Sequence, residues 1–140
     1  MKQKFRSLAK TALILIYIVI IAGAVVRMTG SGMGCPDWPK CFGYYIPPVQ
    51  EKQLLFKPNH HYNKGVMILV DSEKFMVANQ DFLSTQIFDA KDWTIYSTHD
   101  YVVYNPVHTW IEYINRLIGA LSGIPILILG IWSFWFFKEN

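Results

Sequence analysis

The chain has 140 residues, 52% of them hydrophobic, with 13 Lys or Arg against 10 Asp or Glu and a formal net charge of +3. The apolar residues are concentrated in two blocks instead of spreading at amphipathic spacing, which argues against one soluble core of ordinary composition. The small basic excess is a topogenic signal and not a nucleic-acid footprint, because no basic face accompanies aromatic interleaving.

Residues 1–10 form a basic start, with Lys2, Lys4, Arg6 and Lys10. The first transmembrane helix is predicted over residues 8–27. Residues 11–26 carry no charge, and a spanning helix needs about 20 mostly apolar residues. The block reaches that length when Lys10 and Arg27 snorkel to the two interfaces. A cleaved signal peptide is the competing reading, with Ala22-Gly23-Ala24 as its cleavage-like site. The apolar core is slightly long for that, since signal cores run roughly 7–15 residues. Either reading puts the next segment outside.

Residues 28–107 are expected to form an extracytoplasmic loop region. It opens with Gly30, Gly32 and Gly34, then Cys35-Pro36-Asp37-Trp38-Pro39-Lys40-Cys41. Alternating glycines and two prolines make this a tight loop and not a helix. The glycine run is no phosphate cradle, because no strand precedes it and no Lys-Ser/Thr follows. Beyond it, residues 44–48 read as extended or turning, with Pro47-Pro48 favouring polyproline II. Residues 65–70 read as a short strand or an interfacial run. Residues 73–90 read as an amphipathic helix, with Phe75, Val77, Phe82, Leu83, Ile87 and Phe88 as its apolar set. Residues 93–104 are rich in aromatic and β-branched types. His60, His61 and His99 read as solvated loop residues.

The second transmembrane helix is predicted over residues 108–137, starting near Val107 or His108. Residues 117–137 carry no charge. Gly119 and Gly123 form a small-residue face suited to close helix packing. Pro125 predicts a kink. Trp132, Trp135, Phe136 and Phe137 form an inner aromatic belt. Residues 138–140 are read as a cytoplasmic end and a truncation point. Between residues 28 and 111 there are six Lys or Arg against eight Asp or Glu, so the positive-inside rule puts both termini in the cytoplasm.

His108, Glu112, Asn115, Arg116 and Gly119 fall at i, i+4, i+7, i+8 and i+11, on one helical face. A charge at a membrane centre costs roughly 2.5–3.5 kcal/mol on insertion scales, so such a stripe faces other helices or a ligand. Glu112 reads as a general base or a stabiliser of positive charge, or else as the partner of Arg116 at i+4. Arg116 reads as a clamp for a ligand carboxylate or as an interfacial snorkel. His108 reads as an iron ligand or a hydrogen-bonded interfacial histidine. Asn115, neutral and hard, suits a bond across helices better than iron. Cys35 and Cys41 read as a structural staple or a redox-active pair; two sulfurs alone do not make a metal site.

The stretch Gly23-Ala-Val-Val-Arg27-Met-Thr-Gly-Ser-Gly-Met-Gly-Cys35-Pro-Asp-Trp-Pro-Lys-Cys41-Phe-Gly43 closely resembles the first outer loop of the haem A synthases, a cytochrome oxidase assembly family. Glu112-Tyr-Ile-Asn115-Arg116 resembles that family's second-helix motif, Glu-x-x-His-Arg. The resemblance implies an all-α membrane protein: two transmembrane helices joined by a long extracytoplasmic loop, part of a four-helix haem-binding bundle. It implies residence in the bacterial cytoplasmic membrane, with haem O as substrate and haem b as cofactor. It implies oxidation of a methyl group of haem O to a formyl group, with Glu112 assisting proton removal. It further implies that Cys35 and Cys41 pair as a disulfide near the haem edge and that Arg116 stands at the family's arginine; Arg116, Asn115 and His108 are the expected cofactor-lining residues. Partners implied are haem, membrane lipid, the remaining helices, and cytochrome oxidase assembly factors or haem O synthase. Two departures stand out: Asn115 occupies the position of the family's axial His, and residues 44–107 are longer than the family leads one to expect.

The expected function is therefore the N-terminal part of a haem A synthase-like enzyme, incomplete by itself. The alternative is a non-catalytic two-helix membrane assembly or interaction protein in which Glu112 and Arg116 pair structurally. A thiol–disulfide enzyme is disfavoured, because the cysteines are not spaced Cys-x-x-Cys.

Overall fold

The computed structural model describes residues 2–70, 74–97 and 103–138. His99 lies outside the described residues. The chain divides into two units, Met1–Gly30 with Ile114–Asn140, and Ser31–Tyr113.

The helical unit holds α1, Lys2–Thr29, and most of α2, Pro106–Lys138. At 1.5 Å per residue the first is about 42 Å long and the second about 50 Å. The stretches Gln3–Thr29 and Pro106–Trp135 are long and apolar enough to cross a membrane. Both helices overrun their expected ends. α1 starts within the basic tail, because Lys and Arg are good helix formers. α2 starts at Pro106, where the missing N–H costs nothing. Asn105 caps it: its Oδ1 accepts from the amides of Val107 at 3.0 Å and His108 at 3.2 Å. Ala12, Val26, Ser122 and Pro125 are buried in this unit, while Leu13, Ile14, Tyr17, Ile20, Leu121, Leu127 and Ile131 point outward. Outward apolar side chains of this kind suit lipid or further helices. Phe5 and Trp132 meet edge to face at 5.9 Å. The small-residue face works differently from expectation. A Cβ built on Gly119 or Gly123 meets nothing within 4 Å, so neither glycine closes a contact among the described residues.

The outer unit corrects the all-α expectation, because it is built on strands. β1 (His61–Tyr62) pairs antiparallel with β4 (Phe82–Leu83). β2 (Met67–Val70), β3 (Lys74–Ala78) and β5 (Trp93–Ile95) form an antiparallel sheet in the order β2-β3-β5. Met67 pairs with Val77, and Ala78 with Trp93. The amphipathic helix expected over residues 73–90 is therefore absent from residues 74–90, which hold β3 and β4. The reason is two-sided burial. Met67, Leu69, Phe75 and Val77 pack on one face with Cys35, Cys41, Phe42 and Leu54. Ile68, Met76, Ala78 and Trp93 pack on the other with Tyr62 and Val66. A strand covered on both faces loses the polar alternation that betrays strands in a sequence.

Candidate functional site: a disulfide cap latched to an α2 carboxylate

Gly30, at φ 68°, ends α1 in the left-handed region that favours glycine. A short 3-10 turn, Ser31–Met33, then delivers Gly34 onto the first turn of α2. A Cβ built at Gly34 would stand 2.7 Å from the His108 carbonyl carbon and oxygen and 2.8 Å from the Thr109 nitrogen. Only glycine lets the two backbones approach this closely.

Two hydrogen bonds secure that approach. The Thr109 hydroxyl donates to the Gly34 carbonyl at 2.9 Å, and the Cys35 amide donates to Glu112 Oε2 at 2.8 Å. Thr109 is fully buried and Glu112 is 7% exposed. The i, i+3 spacing of Thr109 and Glu112 puts both groups on the same strip of α2. A carboxylate this deep needs strong partners, and a charge-assisted bond from a backbone N–H is one.

Cys35 is bonded to Cys41, which is itself buried. Closing so short a loop stabilises by about 2–3 kcal/mol in the chain-entropy picture. The loop is held from several sides. Asp37 Oδ2 accepts from the Gly43 amide at 2.8 Å. Cys41 and Tyr44 exchange backbone bonds at 2.8 and 3.1 Å. The Phe42 carbonyl accepts from the Met67 amide of β2 at 3.1 Å, and Tyr96 donates to the Pro36 carbonyl at 3.1 Å. Tyr113, one residue past Glu112, donates to the Tyr45 carbonyl at 2.6 Å. Gly43, at φ 81°, lies against the backbone of Gly65 and Val66, where a Cβ would clash.

Of the residues singled out in the sequence, the structure brings Cys35, Cys41 and Glu112 together. His108 contributes its backbone to the Gly34 contact and is half-buried. Asn115 and Arg116 follow on α2 in the helical unit, and both are half-buried. Asn115 Oδ1 is buried and has no hydrogen-bond partner among the described residues. Because α2 is helical from Pro106 on, positions 108, 112, 115, 116 and 119 share an arc of about 100°. His60 and His61 are exposed, as expected. Thr109 and Tyr113 were not singled out from sequence, and Gly34 was read only as part of the glycine-rich loop. The signal for Thr109 was its spacing, three residues before Glu112. Among the described residues no group of three or more His, Cys, Asp or Glu gathers to hold a metal ion.

The family model described as cytochrome oxidase assembly protein matches residues 6–79, just over half of the chain. The chain belongs to that family. The match takes in α1, the disulfide cap and β1 to β3; α2 lies beyond it. The haem A synthase of Shewanella oneidensis is 40% identical over 47 residues, 34% of this chain and 14% of that protein. The haem A synthase of Geobacillus thermodenitrificans is 35% identical over 74 residues, 50% of this chain and 23% of that protein. The protoheme IX farnesyltransferase of Thermus thermophilus is 36% identical over 72 residues, 49% of this chain and 12% of that protein. The chain thus covers less than a quarter of the length of these relatives. No solved structure matches it. Two helices among the described residues are long and apolar enough to cross a membrane, which suits a member of this family.

Proposed function

We propose that this chain supplies one wall and the outer cap of a haem-oxidising membrane site, in which a methyl group of haem O becomes the formyl group of haem A. The observation that carries the reading is the 2.8 Å bond from the Cys35 amide to Glu112. It ties the family's cysteine loop to the one carboxylate of α2. Both termini then lie in the cytoplasm and the cap outside. The outward apolar faces of α1 and α2 meet lipid and the remaining helices of a four-helix bundle.

In this reading Glu112 takes protons released as the methyl carbon is oxidised, with the electrons leaving to an acceptor outside this chain and the formyl oxygen coming from water. A carboxylate held in place by a backbone N–H acts as a proton acceptor from a fixed position. Arg116, one turn along α2, orients a haem propionate by charge-assisted bonds. The disulfide fixes the Cys35 amide and so fixes Glu112.

A resident haem b is a different matter. Its iron calls for a strong axial ligand, and the position where the resemblance leads one to expect histidine carries Asn115. An amide oxygen does not fit that role. His108 lies about 10.5 Å along the axis from Asn115, two turns nearer the helix start.

A second reading has its own support. The latch at Thr109 and Glu112 holds the cap whether or not chemistry follows, as a non-catalytic assembly protein would need. Haem titration of the full chain in nanodiscs separates the two. The enzyme reading predicts a haem absorbance band that weakens about tenfold in affinity in Arg116→Gln. Affinity unchanged in that variant contradicts it. Haem A formation by this chain on its own would overturn the proposal that the wall acts only with its neighbouring helices.

A further inference from the structure

The outer unit gathers hydrogen-bond donors around a groove that the proposed chemistry leaves unused. Two segments build it. Gly43 lies against the backbone of Gly65 and Val66, and the Met67 amide donates to the Phe42 carbonyl at 3.1 Å. Residues 40–45 are thereby laid alongside residues 60–66. The groove holds about 220 Å³, and Lys40, His60, His61 and Asn63 line it together with Tyr44 and Tyr45. None of the residues lining it is acidic. Charge is segregated in the same way along the sequence. Four of the six Lys or Arg between residues 28 and 111 are Lys40, Lys52, Lys57 and Lys64, while Glu51 is the one acid between residues 38 and 70.

The donors are held but not spent. Lys40 Nζ stands 5.1 Å from the centre of the Tyr45 ring and has no carboxylate partner among the described residues. The His60 amide donates to Ser84 Oγ at 2.9 Å, and the His60 carbonyl accepts from the Ser84 amide at 2.9 Å, so its backbone is fixed. Its ring packs edge-on against Tyr62 at 4.9 Å. Among the described residues, no side-chain nitrogen of Lys40, His60, His61 or Asn63 donates a hydrogen bond within the protein. An imidazole keeps at least one N–H whether neutral or charged, so the set donates in either state. Asp37, the acid nearest Lys40 in sequence, is turned to other use: its Oδ2 accepts from the Gly43 amide at 2.8 Å, and its Oδ1 is buried. Separate donors converging from two segments suit a tetrahedral oxyanion. A flat carboxylate is matched best by a guanidinium fork, which the groove lacks.

We propose that this groove binds a phosphate group, with the Lys40 ammonium, the His60 and His61 imidazoles and the Asn63 amide donating to its oxygens. The group that carries the phosphate lies against Tyr44 and Tyr45, which give the groove an aromatic wall. The site stands apart from the haem reading and does not depend on it.

Imidazole nitrogen resonances of the full chain, labelled at histidine and held in the phosphate-free detergent dodecyl maltoside, test this. His60→Gln and His61→Gln assign the two signals. Phenyl phosphate should shift both saturably, half-saturating at about 1 mM or below, while the His108 signal stays still. Lys40→Gln should weaken binding about tenfold, the scale of one lost charge-assisted bond. Lys91→Gln, at a lysine that pairs with Asp89 and is absent from the groove, should bind as wild type does. Shifts that grow linearly without saturating, or equal affinity in Lys40→Gln and wild type, overturn the proposal. Benzoate binding as tightly as phenyl phosphate overturns the assignment to phosphate. If Lys40→Gln fails to fold, His61→Gln decides, since that side chain is exposed: unchanged affinity there overturns the site. Short-chain dihexanoyl phosphatidylglycerol, titrated in parallel, separates the sources. Tighter binding of phenyl phosphate supports a site for a soluble phosphomonoester, and tighter binding of the lipid supports a site for a headgroup phosphate.

Discussion

Replacing Glu112 with Ala removes the acceptor of the Cys35 amide. A hydrogen bond to a charged group contributes about 1.5–3 kcal/mol, and a buried donor left without a partner costs about 1–3 kcal/mol. Taking 2 kcal/mol for the local opening of the cap, the Cys35 amide should exchange with solvent about 30-fold faster, since about 1.4 kcal/mol is a factor of ten. The Thr109 bond to Gly34 and the disulfide remain, so the loss should be local. Hydrogen exchange by mass spectrometry on the chain in nanodiscs reads this directly, peptide by peptide. Exchange should quicken across residues 31–36 and stay unchanged in β2 and β3. Glu112→Gln keeps an acceptor oxygen and should show a smaller change, about fivefold. Unaltered exchange at Cys35 in Glu112→Ala would refute the latch, and with it the argument that the cap positions the carboxylate.

Gly34→Ala should destabilise the outer unit by about 1–3 kcal/mol, because the new Cβ meets α2 backbone that cannot rotate away; chemical denaturation followed by cap-peptide exchange measures it. Thr109→Val keeps the shape but leaves the Gly34 carbonyl without its donor, and should cost about 1–2 kcal/mol, while Thr109→Ser should cost less. Burial pushes the Tyr62 phenol above its usual 10.0, against the smaller lowering effect of the Lys57 amide bond. The proton is held more tightly in the folded state, so this contribution is complete below pH 10.0 and is lost as pH rises through the raised folded value. Near-ultraviolet circular dichroism melts should therefore be flat up to about pH 10 and fall above it, with a shallower fall in Tyr62→Phe.

What the sequence made legible was set by physics of uneven strength. Two charge-free blocks announced α1 and α2, because a bilayer demands length and apolarity together. The helix ends were less visible. Asn105-Pro106 is a cap and first-turn pair, and it starts α2 earlier than the apolar pattern does. The outer unit was nearly opaque. Met67 to Val70 and Phe75 to Ala78 are covered on both faces, so their sequence shows an apolar run with no alternation. Phe82, Leu83, Ile87 and Phe88 happen to fit helical spacing, yet Phe82 belongs to a strand and packs against Trp93 at 5.4 Å. At the site, Cys35, Cys41 and Glu112 were visible as chemistry-bearing types. The close approach at Gly34 and the bond from Thr109 were not, because neither a backbone contact nor a single hydroxyl bond leaves a pattern. Only the 74–75-residue contact distance in sequence, closed by the fold, reveals them.

The most direct measurement is the haem content of native membranes whose chromosomal copy carries Glu112→Gln, extracted and separated by chromatography. The variant keeps an acceptor for the Cys35 amide, so the cap loosens only about fivefold, as exchange at Cys35 would report. Haem O should accumulate, and haem A should fall by at least about 100-fold, the scale of a lost general base. Haem A at the wild-type level, with the cap intact, would contradict the assignment of Glu112 to the oxidation and leave it a structural latch.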